Sequence, residues 1–324
     1  MAGALDLDVL DDLVGRARDG QPRAVARLLS LVEDAHPRVA EIARALTPYT
    51  GRARVVGLTG PPGVGKSTST SALLTALRAE GKRVGVLAID PSSPFSGGAL
   101  LGDRIRMTEH ATDPGVFIRS MATRGHLGGL SWATPQAVRV LDAAGFDVVL
   151  IETVGVGQSE VDVVKLADTT VVLLAPGMGD GIQAAKAGVL EIADVFVVNK
   201  ADREGADATV HDLKQMISLA RREIRGASWR QPIVRTVAAK GEGVDEVVRA
   251  LAAHHDWLVA HDELARRRVA RARDEVEAIA LRRLRAELVD LRGGGRLAGV
   301  AERVVAREID PFAAAEELIA DLRG

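Results

Sequence analysis

Apolar positions change their spacing twice along the chain, and the two changes mark three regions. Over residues 1–50, Leu10, Leu13 and Val14 recur at helical spacing, as do Val25, Leu28, Leu29 and Val32. Pro37 is placed to open a third helix carrying Val39, Ile42 and Leu46. The break Thr47-Pro-Tyr-Thr-Gly-Arg closes this region, a helical N-terminal extension expected to pack on the neighbouring domain. From Arg54 to about Ala250 the apolar residues come as short β-branched runs: Val55–Thr59, Val84–Ile89, Val116–Arg119, Val148–Ile151, Val171–Leu174, Val195–Val198 and Ile233–Val237. Most are continuous rather than alternating, which is how strands of a parallel sheet read when both faces are covered. Helical stretches Ser69–Glu80, Pro135–Ala144, Ile182–Ile192 and Ala208–Ile224 lie between them.

After Leu251 the spacing turns helical again. Trp257 to Leu291 forms one long run, with Leu258, Leu264, Val269, Val276, Ile279, Leu284, Leu288 and Leu291 apolar and both arginine and acid on the other faces. Mixed charge predicts a solvated, salt-bridged helix rather than a nucleic-acid or membrane stripe. Arg292-Gly-Gly-Gly-Arg breaks the run, and Ala298–Leu322 reads as two short helices divided at Asp310-Pro311. An arm this long has little core of its own, so a second copy of the chain is the expected cover. Packing back onto the α/β region is the alternative. The predicted organisation is a helical extension over 1–50, an α/β domain over 51–252 and a helical dimerisation arm over 253–324.

Composition removes several classes. A formal charge of −2 over 324 residues gives no basic field for nucleic acid or anionic membrane. Aromatic content of 3% is too low for a base-stacking surface. Without cysteine there are no disulfides, thiolate metal sites or thiol nucleophiles. The acidic start MAGALDLDVLDDL does not read as a signal peptide, and no apolar run reaches membrane-spanning length, so a cytoplasmic protein is expected.

The chemistry begins after the first predicted strand. Gly60-Pro61-Pro62-Gly63-Val64-Gly65-Lys66-Ser67, followed by Thr68, fits the eight-position phosphate-binding loop at every defined place. Its glycines let successive N–H groups turn inward, and the next helix aims its positive end at the same anion. Lys66 is placed to reach the β- and γ-phosphates and Ser67 to bind Mg²⁺. The fold class is therefore a three-layer P-loop NTPase domain with a mainly parallel sheet, flanked by the two helical regions. Asp90, at the end of the second strand, falls beside the phosphates, where ligands of such sheets gather. The loop Ser92–Gly102 leads to Asp103-Arg104-Ile105-Arg106 and reads as a switch segment. Asp147-Val-Val-Leu-Ile-Glu152 has the form of a strand whose acidic end holds Mg²⁺ directly or through water, and Gly155 is placed to offer its N–H to the γ-phosphate. Val156 stands where Ras-like proteins carry glutamine, so machinery for fast unaided hydrolysis is not visible.

Base identity is written in Asn199-Lys200-Ala201-Asp202, at the end of the sixth strand. A carboxylate there accepts from guanine's ring N–H and its exocyclic amine. Adenine offers neither and would leave the carboxylate unpaired. Lys200 is expected to cover the base and Asn199 to tie neighbouring loops. Val237, Ala238 and Ala239, in the small-residue loop before Lys240-Gly241, are placed to offer backbone N–H groups to the guanine carbonyl. GTP is the predicted ligand.

These segments together resemble the ArgK/MeaB family of P-loop GTPases, the G-protein chaperones of adenosylcobalamin-dependent acyl-CoA mutases. The resemblance is carried by GPPGVGKST, VLAIDPSSPFSGGALLGDRIRM, RSMATRGHLGGLS, DVVLIETVGVGQSE, GMGDGIQAAKAG and NKAD, and it covers nearly the whole chain. It implies a phosphate and magnesium site of Lys66, Ser67, Asp90, Asp103 and Glu152, and guanine recognition by Asn199, Lys200 and Asp202. It also implies an additional switch from Gly177 to Lys186, making Gln183 and Lys186 candidate contacts when the mutase is bound. The implied activity is GTP hydrolysis that gates adenosylcobalamin loading and protection of the mutase, methylmalonyl-CoA mutase foremost, by a homodimer. B12 itself would belong to the partner. Two rival functions remain open from the residues: a nickel-insertion type of metallochaperone GTPase, and a nucleotide-dependent kinase linked to amino-acid transport. The first needs a metal-binding tract that the chain, with only His254-His255 adjacent, does not offer.

Overall fold

The computed structural model describes residues 7–90, 109–110, 112–122, 133–153, 165–177, 192–221, 228–293 and 296–323. The chain divides into two compact units, residues 1–268 and 269–324. The first holds seven strands: β1 (Arg54–Thr59), β2 (Val84–Asp90), β3 (Val116–Ala122), β4 (Val148–Thr153), β5 (Thr169–Leu174), β6 (Val195–Asn199) and β7 (Ile233–Thr236). They form one sheet in the order β3-β2-β4-β1-β5-β6-β7, every pairing parallel. β1 therefore lies between two strands that come much later in the chain, and its carboxyl end is the switch point at which ligands of such sheets collect.

Helices cover both faces, which is why the strands read as unbroken apolar runs. In β4, Val149 and Ile151 face a core shared with α1 (Leu7–Arg18), α2 (Pro22–Glu33), α3 (Val39–Leu46) and α5 (Ala133–Ala143). The alternate residues, Val148 and Leu150, face α4 (Lys66–Ala79) and α7 (Val244–Ala260). A third cluster packs α6 (Ala206–Arg221) on β5 and β6 through Val210 and Leu213. Residues 182–191 of a further expected helix lie outside the described residues. Leu10, Leu28, Leu29 and Ile42 of the N-terminal helices are fully buried. On the β3 side, Arg119 reaches back to α2, with Nη2 2.6 Å from Glu33 Oε2 and 3.2 Å from Ser30 Oγ. That contact explains the first residue of the Arg119–Ser131 stretch; residues 123–132 lie outside the described residues.

Several helix ends shift by a few residues, and two differences go further. Pro37 does not open α3: it sits in a turn, Arg38 N–H donates to His36 Nδ1 at 3.3 Å, and the helix starts at Val39. The long run beginning at Trp257 is in fact two helices. α7 ends at Ala260, His261 and Asp262 turn with Asp262 at φ +55°, and α8 runs from Glu263 to Gly293. Trp257 and the fully buried Leu258 therefore belong to α7. In the second unit, α9 (Arg296–Val305) and α10 (Pro311–Arg323) are joined by Arg303 and Glu317 at 2.7 Å. Asp310 caps α10, its Oδ1 accepting from the N–H groups of Phe312 and Ala313.

Where β5 and β6 begin, two aspartates that the sequence reading passed over hold the first turns of α8. Asp168 accepts from Val55 N–H at 3.1 Å and pairs with Arg268 at 2.9 Å. Asp194 takes both terminal nitrogens of Arg267, each at 2.9 Å, and Thr170 N–H at 2.8 Å. His254 Nε2 lies 3.3 Å from the same carboxylate, while its Nδ1 meets Thr169 Oγ1 at 2.8 Å. Burial acts to raise the Asp194 pKa, but hydrogen bonds from His254 and Arg267 outweigh it and hold the carboxyl below its usual range. A carboxyl depressed in the folded state adds stability above its unfolded pKa of about 4, and that contribution is lost as pH falls through the folded value. Asp194→Asn is expected to cost about 2 kcal/mol in urea unfolding at pH 7, because one charged acceptor is lost and Arg267 keeps only the longer contact with Glu263, at 3.8 Å. It should also flatten the acid-side loss of stability; an unchanged midpoint would remove this cluster from the fold's support.

Candidate functional site

The loop after β1 closes because two glycines stand where no side chain fits. A Cβ on Gly60 would lie 2.2 Å from Leu173 O of β5, and Gly60 sits at φ +143°. One on Gly65, at φ +93°, would lie 2.6 Å from Asn199 Nδ2. The chain therefore passes hard against β5 and the end of β6 before α4 begins at Lys66. Pro61 is half-buried, Pro62 and Gly63 are exposed, and Val64 is fully buried beneath the loop. Lys66 Nζ donates to Gly60 O at 2.5 Å and to Pro61 O at 3.2 Å, so the ammonium is folded into the cradle it serves. Thr68 is half-buried in the first turn of α4.

β4 delivers the acid. Glu152 pairs in register with Leu58 of β1 and Ala88 of β2, and its side chain is buried. Ser67 Oγ donates to Glu152 Oε1 at 2.6 Å. Two hard oxygen donors facing each other beneath a phosphate cradle fit Mg²⁺, which takes a hydroxyl and a carboxylate beside phosphate oxygens and water. Asp90 ends β2 opposite Ala122 of β3, at the same carboxyl edge. Asp103, Gly155, Gln183 and Lys186 lie outside the described residues, as do the switch segments 92–106 and 178–186.

The base end is assembled around Asn199. Its Nδ2 donates to Val64 O at 2.9 Å, and its Oδ1 accepts from Ala238 N–H at 3.0 Å and Thr236 Oγ1 at 3.2 Å. One buried amide thus joins the phosphate loop, β6 and the turn after β7. Lys200 has left-handed backbone (φ +58°), and its Nζ donates to Gly63 O at 2.6 Å, which lays its stem across the mouth of the site. Asp202 meets Lys240 Nζ at 3.2 Å, and that hydrogen bond holds its carboxyl below the usual range, keeping it an acceptor at neutral pH. Val237 bridges to Glu242, and Ala238–Lys240 forms a single 3-10 turn. Because Ala238 N–H is donated to Asn199, the expectation of a donor for the guanine carbonyl narrows to Ala239.

A parallel sheet with this loop at its switch point, an acid at the end of the neighbouring strand and an Asn-Lys-x-Asp turn beyond it defines a P-loop GTPase. The model of the methylmalonyl-CoA mutase-associated GTPase MeaB matches residues 25–291, and the chain belongs to that family. A Pyrococcus abyssi protein, named provisionally as a GTPase, is 48% identical over 98% of both chains. GTPase ArgK of Escherichia coli is 37% identical over 79% of this chain and 78% of its own. A mouse protein named methylmalonic aciduria type A homolog, mitochondrial, is 38% identical over 77% of this chain and 64% of its own. Among solved structures, a crystal structure described as a LAO/AO transport system kinase superposes with a TM-score of 0.71 at 26% identity, covering 99% of this chain and 100% of that one. The protein binds guanine nucleotide and is an enzyme of the GTP-hydrolysing class. No helix among the described residues is long and apolar enough to cross a membrane.

Proposed function

We propose that this GTPase is a chaperone of an adenosylcobalamin-dependent acyl-CoA mutase, methylmalonyl-CoA mutase foremost, and that GTP hydrolysis gates loading and protection of the mutase's cofactor. The carrying observation is the match to a mutase-associated family over residues 25–291. The name of the mouse relative supports the same direction. In this reading Lys66 and the loop Gly60–Ser67 bind the β- and γ-phosphates, Asn199, Lys200 and Asp202 select guanine, and Ser67 and Glu152 hold Mg²⁺ with Asp90 and Asp103. The bound metal neutralises charge on the phosphate oxygens. Gly155 faces the γ-phosphate, and Gln183 and Lys186 engage the nucleotide only when the mutase is present. Residues 253–324 serve dimerisation, supported by Val269, Val276, Leu284 and Phe312, which expose half or more of their surface. The setting is cytoplasmic.

The test is steady-state GTP hydrolysis by the purified chain, alone and with the mutase of the same source. A rise of roughly tenfold or more, about 1.4 kcal/mol off the barrier, is expected. An unchanged rate with no complex detected would leave a guanine-specific GTPase and end the chaperone reading. Lys186→Ala should keep basal hydrolysis and blunt the rise; equal loss of both would mean that this loop is not a partner-dependent switch. Sedimentation should give the mass of two chains, and a monomer would end the dimerisation role.

A further inference from the structure

Hydroxyl side chains crowd the start of α4, and nearly all of them are engaged. Ser67 Oγ donates to Glu152 and Ser71 Oγ to Glu109, at 2.6 and 2.9 Å. Thr70 Oγ1 donates to Lys66 O and Thr75 Oγ1 to Ser71 O, both at 3.0 Å, each returning to the carbonyl four residues back. Ser69, in their midst, does neither. Its side chain is buried, and its Oγ has no hydrogen-bond partner among the described residues. A buried hydroxyl left without a partner costs stability, so its retention calls for a physical reason.

Ser69 faces a small cavity between α4, the sheet and α7. The volume is about 10 Å³, the lower limit for a single water molecule. Leu58, Leu173, Val197 and Val247 belong to its apolar wall. Ser69 and Thr236 carry the only side-chain oxygens on that wall among the described residues, and they are 6% and 3% exposed. Thr236 Oγ1 gives its proton to Asn199 Oδ1 at 3.2 Å, which leaves its lone pairs available to a donor. An apolar cavity of this size stays dry, whereas two hydroxyls on its wall meet the minimum that an ordered water needs.

We propose that one buried water occupies this cavity and joins Ser69 to Thr236, which makes Ser69 a positioning residue for nucleotide binding. The water accepts from the Ser69 hydroxyl and donates to Thr236 Oγ1. A hydroxyl that accepts also donates more strongly, so the bridge tightens the bond from Thr236 to Asn199. Asn199 in turn holds Val64 O of the phosphate loop and Ala238 N–H of the turn after β7. The start of the phosphate helix is thereby tied to the amide that links the two ends of the site. This inference rests on the assignment of Asn199 to the nucleotide site.

The experiment is a double-mutant cycle on the full-length protein, read by calorimetric titration with GDP and Mg²⁺. Ser69→Ala is expected to weaken GDP binding about threefold to tenfold, the effect of one net hydrogen bond. On a Thr236→Val background the same change should have no further effect, because the bridge is already cut. Ser69 and Thr236 make no direct bond, so a coupling between them requires an intermediary. Thr236→Ser, which keeps the hydroxyl, should keep the coupling. In steady-state hydrolysis the loss in Ser69→Ala should fall on KM for GTP more than on kcat. Equal loss in both backgrounds, or no loss in either, would overturn the proposal. A crystal structure of the GDP complex should show one ordered water within hydrogen-bond distance of both hydroxyls; an empty cavity there would overturn it too, and this result decides if the valine variant fails to fold. Asn199→Ala distinguishes the two levels of the argument. Unchanged GDP affinity in that variant would remove Asn199 from the site and the proposal with it, whereas a loss there with additive effects of Ser69 and Thr236 would remove the water alone.

Discussion

Lys66→Ala is expected to weaken GTP binding about a thousandfold, read by calorimetry in the presence of Mg²⁺. The ammonium is buried and makes two bonds to loop carbonyls, Gly60 O and Pro61 O. When the triphosphate enters, those neutral acceptors are exchanged for phosphate oxygens. Charge-assisted bonds contribute about 1.5–3 kcal/mol each. Two of them are worth up to about 6 kcal/mol, and about 1 kcal/mol given up for each carbonyl bond leaves roughly 4 kcal/mol, a factor of about a thousand in affinity. Unchanged affinity would sink the assignment of the phosphate site. The fold should survive, because the loop's path is set by Gly60 against Leu173 and by Asn199, not by the lysine.

Asp202→Asn is expected to lower the preference for GTP over ATP by about a hundredfold or more. The carboxylate offers two acceptors to guanine's two donors, whereas the amide keeps one acceptor and turns an N–H toward a donor. Sites that read a base through paired polar groups discriminate strongly because a mismatch strands those groups. Xanthosine triphosphate, whose C2 carbonyl accepts where guanine's amine donates, should gain affinity in the same variant. That gain separates changed recognition from damage. The lost ion pair to Lys240 is solvent-screened on both sides, so stability should change little. Undiminished selectivity for GTP would show that the base is read elsewhere.

The strands were legible because burial on both faces leaves nothing polar to interrupt them. Each expected run falls inside the strand observed, except that Val237 lies one residue past the end of β7. Helix ends were harder. The turn at His261-Asp262 contains neither glycine nor proline, and Asp262 adopts a left-handed conformation that spacing cannot reveal. Of the site, the phosphate loop and the Asn-Lys-x-Asp turn could be read because backbone geometry restricts their residue types. Asn199 was read as tying neighbouring loops and does so, but the atoms it meets could not be foreseen, since Val64 O and Ala238 N–H are backbone groups that any residue would supply. Asp168 and Asp194 went unread for a related reason: their partners, Arg268 and Arg267, lie 100 and 73 residues further along the chain. The only hint was that Ala-Asp precedes both β5 and β6.

The central place of β1 bears on how the protein is made. This strand leaves the ribosome early, yet its neighbours β4 and β5 begin only at Val148 and Thr169. The N-terminal helices wait as well, because their apolar faces are covered by α5 and β4. Asn199 joins the phosphate loop to the turn at Ala238, so the nucleotide cradle is completed only after that turn is synthesised. Until then the nascent chain carries exposed β-branched segments and no ligand to reward pairing them. Nucleotide therefore stabilises only the completed sheet, by mass action on a state attained once the turn at Ala238 has been made.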